Sequence, residues 1–323
     1  MRLSERNFTT TSKQITGKTC FFQHSFKIEQ LKYGITDIYD YCNIFVKIQN
    51  NIENIIRNTL ASYGYPLTDI SNEQKKIFSP IQYQILRQAY LEIFKKLELN
   101  DIVLARVINK HFNTRYTEKL MHITATGKDT ILLESSFGTT IAYTADILEF
   151  DNPTEFIKQN YGIFVNFDGF RQKNCVELGR TYSPEYSKNE DKMFATHDSN
   201  SNYCHVGCYG GIDINQTLAT ICEVNRDDDG IKWPISIAPY QFYIVPDSRK
   251  IAIAENLYLY LTSHKQKAIL DDRTNVTFQN KLKDAKALGV HYIVIIDNTY
   301  QGNGMYEVEN RFTGERFKAL FLF

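Results

Sequence analysis

The sequence predicts an α/β protein of two domains, and three observations carry that expectation. Beyond residue 240, strand-like and helix-like runs alternate at short intervals. Ahead of them lies a series of short strand-like runs, preceded in turn by two amphipathic helices. The 323 residues are enough for two domains of ordinary size.

The elements follow in order. Ile44, Ile48, Ile52, Ile55, Ile56 and Leu60 recur at helical spacing and predict a helix running to Ala61. Ser79-Pro80 pairs a capping residue with a first-turn proline and starts a second helix, whose apolar face is Leu86, Tyr90, Ile93, Phe94 and Leu97. Strands are expected over 102–108, 131–134 and 140–143, with Gly127-Lys128-Asp129 as a hairpin turn. The stretch 153–174 is mixed and yields no clear element. Strands over 176–182 and 203–209 lead into a helix over 216–224, and 226–230 reads as a solvated linker turn. The remainder alternates strand 241–245, helix 249–263, strand 267–270, helix 281–288 and strand 292–296. This predicts a small α/β domain with a largely parallel sheet. The domain boundary is expected between 232 and 233.

Composition narrows the function. Lys+Arg and Asp+Glu balance at 37 each, so any RNA contact must come from a local patch rather than from net charge. No apolar run is long enough to cross a bilayer, and no membrane partner is expected. Residues 1–18 are rich in Ser and Thr and mildly basic; they read as an ordinary N-terminal strand and loop. Cys20, Cys42, Cys175, Cys204, Cys208 and Cys222 lack the spacing of a disulfide framework, which points to a reducing compartment. A cytoplasmic location is expected, with a mitochondrial one second. His197, Cys204, His205 and Cys208 have half of a zinc-binding spacing but lack the other half, so no metal is expected there.

Three stretches resemble the prolyl-tRNA synthetases of bacterial and mitochondrial type, which are class II aminoacyl-tRNA synthetases. Trp233-Pro234-Ile235-Ser236-Ile237-Ala238-Pro239, Asp271-Asp272-Arg273, Lys281-Leu282-Lys283-Asp284-Ala285 and Glu309-Asn310-Arg311-Phe312-Thr313-Gly314-Glu315 match, in order, that family's anticodon-binding domain. Glu177-Leu178-Gly179 and Gly207-Cys208-Tyr209-Gly210, with the helix ending at Glu223, are similar to the family's E-V-G-H-I-F strand and to motif 3. Residues 47–57 look like its motif 1 helix. The resemblance therefore implies a class II core, an antiparallel sheet with helices, followed by an anticodon-binding domain from 233 to 323. It also explains Cys208 as a pocket residue rather than a zinc ligand.

The departures fall on the chemistry. Amino-acid activation builds negative charge on the ATP α-phosphate, which fixed cations must stabilise. Only residues 72–78 separate the motif 1 region from Ser79, so the family's motif 2 segment is missing by this resemblance. The motif 3 arginine falls on Gln216, the motif 1 proline on Ser71, and the histidine after Glu177-Leu178-Gly179 on Arg180. The family's S-H-E-F stretch becomes Tyr116-Thr117-Glu118-Lys119-Leu120. Losing one such charged contact typically costs about two to three decades of rate. The remnant pocket is thus Glu177, Arg180, Gly207, Cys208, Tyr209, Gly210 and Gln216, with no catalytic residue assigned.

By the same resemblance, Asp272, Arg273, Phe278, Lys281, Asp284 and Arg311 are the RNA-binding candidates, with Phe278 in a loop that could stack a base. The favoured function is a degenerate paralogue without amino-acid activation. It would bind tRNA or another structured RNA and act as an accessory subunit, as a homodimer or paired with a synthetase or other enzyme. The alternative is a divergent but active proline–tRNA ligase that uses ATP and Mg²⁺ and draws its missing arginines from Arg106, Arg115 and Arg180. A third reading is a shortened gene model, which an intact motif 2 in the genomic DNA between Ser71 and Ser79 would establish.

Overall fold

The structure is a computed structural model that describes residues 38–64, 80–108, 116–136, 139–162, 164–183, 195–197, 204–206 and 209–321. Residues 1–18, Ser71, the segment 72–78, Arg115, Gly207 and Cys208 therefore lie outside the described residues. The chain divides into two compact units, one of residues 54–217 and one joining 218–323 to the stretch ending at Glu53.

Helix α1, Ile38–Ser62, runs across that division. Ile44, Ile48, Ile52, Ile56 and Leu60 are its buried stripe, four residues apart as one face of a helix requires, while Ile55 is half-buried. Helix α2, Pro80–Lys96, starts at the expected proline and buries Tyr83, Leu86, Ala89, Tyr90, Ile93 and Phe94.

In the unit of residues 54–217, strands β1 (Ile102–Arg106), β2 (Tyr116–Ile123), β3 (Asp129–Ser136), β4 (Thr139–Thr144), β5 (Arg171–Ser183) and β8 (Tyr209–Ile212) form one sheet. A short hairpin, β6 (Ala195–His197) and β7 (Cys204–Val206), stands apart from it and sets His197 opposite Cys204. All pairings in the six-stranded sheet are antiparallel except β1 with β4. The pairings β1–β2, β2–β5, β5–β3, β3–β4 and β4–β1 close a circuit. Helix α3, Pro153–Tyr161, occupies part of the stretch that showed no pattern in sequence; it is capped by Asn152, whose side chain accepts from the Glu155 amide, and ends at left-handed Gly162.

The expected hairpin at Gly127-Lys128-Asp129 is not one. β2 and β3 do not pair with each other; both lie along β5, which takes β2 over its C-terminal part and β3 over its N-terminal part. Cys175 is the changeover point, facing Ile123 on one strand and Asp129 on the other. Gly127 crosses the chain there, where a Cβ would sit 2.1 Å from the Cys175 carbonyl oxygen. Gly127 does close a turn, its amide donating to the Thr124 carbonyl at 3.3 Å, but the turn joins strands that do not pair, and the glycine serves a close backbone approach.

In the unit ending at residue 321, the five-stranded sheet runs β12 (Ala268–Leu270), β11 (Phe242–Pro246), β13 (Tyr292–Ile296), β14 (Met305–Asn310), β15 (Arg316–Leu320). The first three are parallel, and the last two are antiparallel, so the sheet is mixed rather than largely parallel. Helix α5, Ile251–Ser263, follows β11 and buries Ala254, Leu257 and Leu261 against Ile244, Leu270, Val294, Ile296, Tyr306 and Val308. Helix α6, Phe278–Leu288, packs against β11 and β13 through Leu282 and Ala285. Helix α4, Ile214–Val224, and a two-residue hairpin, β9 (Arg226–Asp227) with β10 (Gly230–Ile231), precede this sheet. In the same unit, Lys47 Nζ donates to Tyr240 Oη at 2.7 Å and Asn51 Nδ2 to the Ile237 carbonyl at 3.0 Å.

Candidate functional site

The charged residues singled out near the C-terminus converge on the domain interior. β12 ends at Leu270, which places Asp271 and Arg273 beside α6, and α6 presents Lys281 and Asp284 one turn apart. Arg273 is fully buried and makes a two-pronged contact with Asp271, Nε to Oδ1 at 2.8 Å and Nη2 to Oδ2 at 2.6 Å. The same Nη2 donates to Asp284 Oδ2 at 2.9 Å, and Tyr243 Oη donates to Asp271 Oδ2 at 3.0 Å. Lys281 Nζ donates to the backbone carbonyl of Asp271 at 3.1 Å. Two carboxylates and two cations thus balance in a buried site. Burial alone lowers the Arg273 pKa, but Asp271, Tyr243 and Asp284 together hold it above its ordinary value. Burial lowers that of Lys281.

Phe278 is the first residue of α6, not a loop residue, because Thr277 caps the helix by accepting from the Asn280 amide. It is half-buried, as is Asp272.

Arg311, at the end of β14, is also buried. Its guanidinium clamps Asp227 of β9, with Nη1 to Oδ2 at 2.7 Å and Nη2 to Oδ1 at 2.5 Å, while Nε donates to the Lys286 carbonyl at 3.1 Å. Asp227 also meets Lys232 Nζ at 3.2 Å. These bonds, the Arg311 contact foremost, hold its carboxyl well below the usual carboxylate range. Further out, Lys286 bridges Glu309 and Asp229, and Arg316 bridges Glu307 and Glu309. The segment expected to be a solvated linker is therefore fastened to the domain. A Cβ on Gly230 would lie 2.5 Å from the Ala287 backbone, and Trp233 Nε1 donates to the Leu288 carbonyl at 2.9 Å. Sequence reading missed Asp227 because it is one of three consecutive aspartates, and nothing local marks which of them finds an arginine 84 residues away.

Of the residues expected to form a remnant pocket, Glu177, Arg180, Tyr209 and Gly210 lie on two paired strands. β5 carries Glu177 and Arg180, and β8 pairs with it, placing Arg180 opposite Gly211 and Thr181 opposite Gly210. Gly179 permits this approach, since a Cβ there would meet the Gly211 carbonyl oxygen at 2.5 Å. Tyr209 belongs to the same strand, and Gln216 lies in the first turn of α4, its amide donating to Asp213 Oδ1 at 2.9 Å. Glu177 bonds to Arg180 and to Lys119 Nζ, the latter at 3.0 Å from Oε2. Partial burial raises the Glu177 pKa, but these two cations outweigh it and hold the carboxyl below its ordinary value. Lys119 was not a sequence candidate; the register that sets it opposite Arg180 is visible only in the fold.

On the other side of β2, Glu118 is buried beneath Tyr83 Oη at 2.9 Å and Arg87 Nε at 2.6 Å. Arg106 lies on β1 opposite Glu118. Among the described residues, no group of three or more His, Cys, Asp or Glu side chains could hold a metal ion, and no helix is long and apolar enough to cross a membrane.

The chain is similar to known proteins over part of its length. Residues 241–320 match the family model of the anticodon binding domain. A proline–tRNA ligase of Heliobacterium modesticaldum is 35% identical over 150 residues, 45% of this chain and 26% of the relative. A probable mitochondrial proline–tRNA ligase of Schizosaccharomyces pombe is 31% identical over 149 residues, 44% of this chain and 32% of the relative. These alignments thus span about a quarter to a third of the relatives' length. A crystal structure of prolyl-tRNA synthetase from Cryptosporidium parvum, complexed with L-proline and AMP, superposes with a TM-score of 0.49 at 16% identity, covering 74% of this chain and 42% of that one. The protein is prolyl-tRNA synthetase-like, and an anticodon-binding domain forms its C-terminal part.

Proposed function

We propose that the protein binds tRNA through its C-terminal domain and serves as an accessory subunit that does not activate amino acids. The observation that carries this reading is the match of residues 241–320 to the anticodon binding domain, over a fold whose sheet, helices and charged interior are all in place. Arg273, Lys281, Asp284 and Arg311 act from inside in this reading, fixing the backbone around the start of α6. The partly exposed Asp272 and Phe278 are the ones offered to RNA. Loss of activation is argued from Gln216, a neutral side chain where the resemblance expects an arginine at the ATP phosphates, and from the short segment 72–78. The partner in the proposal is a second copy or a complete synthetase. The cysteine pattern favours the cytoplasm, and a mitochondrial ligase among the relatives keeps the mitochondrion as the second location.

One observation favours the ligase alternative. Lys119 Nζ and Arg180 Nη2 each lie 3.0 Å from the same Glu177 oxygen, which places two cations beside the strand that carries the remnant pocket. ATP, with Mg²⁺ on its phosphates, would be the substrate there. ATP–pyrophosphate exchange with proline, run on the whole chain, separates the two readings. The accessory reading predicts no exchange above background. Exchange that disappears in Arg180→Ala would establish the ligase instead.

A further inference from the structure

His291 immediately precedes the strand β13 and is 7% exposed. Neither ring nitrogen has a hydrogen-bond partner, although both are shut off from solvent. An imidazole in water bonds at both nitrogens, so leaving both empty costs free energy that the fold does not recover locally. What covers the ring is Phe312, stacked on it with centroids 4.8 Å apart and planes 18° apart. Phe312 itself is 37% exposed and stands in the turn between β14 and β15, where Gly314 adopts a left-handed φ of +73°. One face of an aromatic pair is therefore open to solvent on a short turn, with an unsatisfied donor and acceptor directly beneath it.

We propose that Phe312 and His291 form a nucleobase site, in which an unpaired RNA base stacks on Phe312 and, as the turn lifts, bonds at its edge to His291. A neutral imidazole offers one donor and one acceptor, the pattern presented by the edge of a base. Stacking on an aromatic side chain is sequence-tolerant and suits single-stranded loops. Arg311 and Arg316 flank the turn, so the surroundings carry cations, although both are already engaged with carboxylates. The inference rests on the reading that this chain binds RNA, and it names where a base would sit.

The test is fluorescence anisotropy of a labelled tRNA transcript and of a labelled unstructured heptanucleotide, titrated with the whole chain. Phe312→Ala is expected to weaken both by about fivefold, the low end of the stacking contribution. Phe312→Trp is expected to bind at least as well as the parent. His291→Phe keeps the stack and is expected to retain affinity while losing any preference among bases. Phe312→Ala binding like the parent, with its thermal unfolding unchanged, overturns the site while leaving RNA binding intact. If the parent chain binds neither RNA, the proposal and the reading beneath it both fail. Should Phe312→Ala unfold, Phe312→Tyr and Phe312→Leu decide, since both are close to Phe in size and only Tyr can stack a base; equal binding by the two overturns the site.

Discussion

Arg273 shows why charge in a sequence is an ambiguous sign. It sits with no exposed surface between Asp271 and Asp284, where removing one partner leaves an uncompensated buried charge. Arg273→Met should lower the stability of the protein by about 3–5 kcal/mol, read from urea denaturation. Asp284→Asn keeps the two-pronged Asp271 contact and should cost less, about 1–2 kcal/mol. In sequence, Lys281 and Asp284 look like a solvated helix face, and only the fold shows Arg273 turning back to meet them. Their positions were legible; their inward direction was not.

His291 makes a second prediction at this scale, through pH. Burial holds its pKa below the ordinary value, so the folded state disfavours the charged ring. Its contribution is fully present above the unfolded pKa of about 6.5 and is lost as pH falls from there through the lower folded value. Stability measured at pH 5 should therefore fall short of that at pH 7.5, and His291→Phe should shrink the difference. An unchanged difference in that variant would place the acid sensitivity elsewhere.

At the scale of elements, glycine positions separate turn chemistry from packing. Gly289 ends α6 with a φ of +80°, and a Cβ there would lie 2.3 Å from the Ile231 carbonyl oxygen. Gly302 has a similar φ of +77° but open space around it. Gly302→Ala should cost about 1–2 kcal/mol, the left-handed penalty alone. Gly289→Ala adds a backbone collision of about 1–3 kcal/mol and should be clearly worse by thermal unfolding. Equal losses would mean that the contact between α6 and the β9–β10 hairpin gives way easily.

The same contrast explains what could be read of the elements. The apolar stripes of α1 and α2 follow directly from residue spacing, because one buried face imposes its period, and β13 follows from an unbroken apolar run buried on both faces. β14 and β15 went unseen for different reasons: β14 buries Tyr306 and Val308 in the core between charged neighbours over only six residues, while β15 is an edge strand that buries little. The 226–230 segment looked like a linker because its anchor, Arg311, is remote in sequence.

For the whole molecule, the two units carry different weights of evidence. The unit ending at residue 321 has a family match over 241–320 and a neutralised interior. The unit of residues 54–217 places Glu177, Arg180 and β8 on adjoining strands, and Gln216 stands where the resemblance expects an arginine. On the proposal made above, a domain similar to anticodon-binding domains is kept while the phosphate grip is lost, which would leave a binding subunit.

The most direct test of that account is a titration of the whole chain against tRNA transcripts, followed by anisotropy at two salt concentrations. The account predicts saturable binding that weakens as salt rises, as phosphate contacts require. It further predicts that Arg311→Ala, which releases the Asp227 clamp, reduces the affinity by disordering the domain. No saturable binding to any tRNA, by a chain that unfolds cooperatively and is therefore folded, would contradict it.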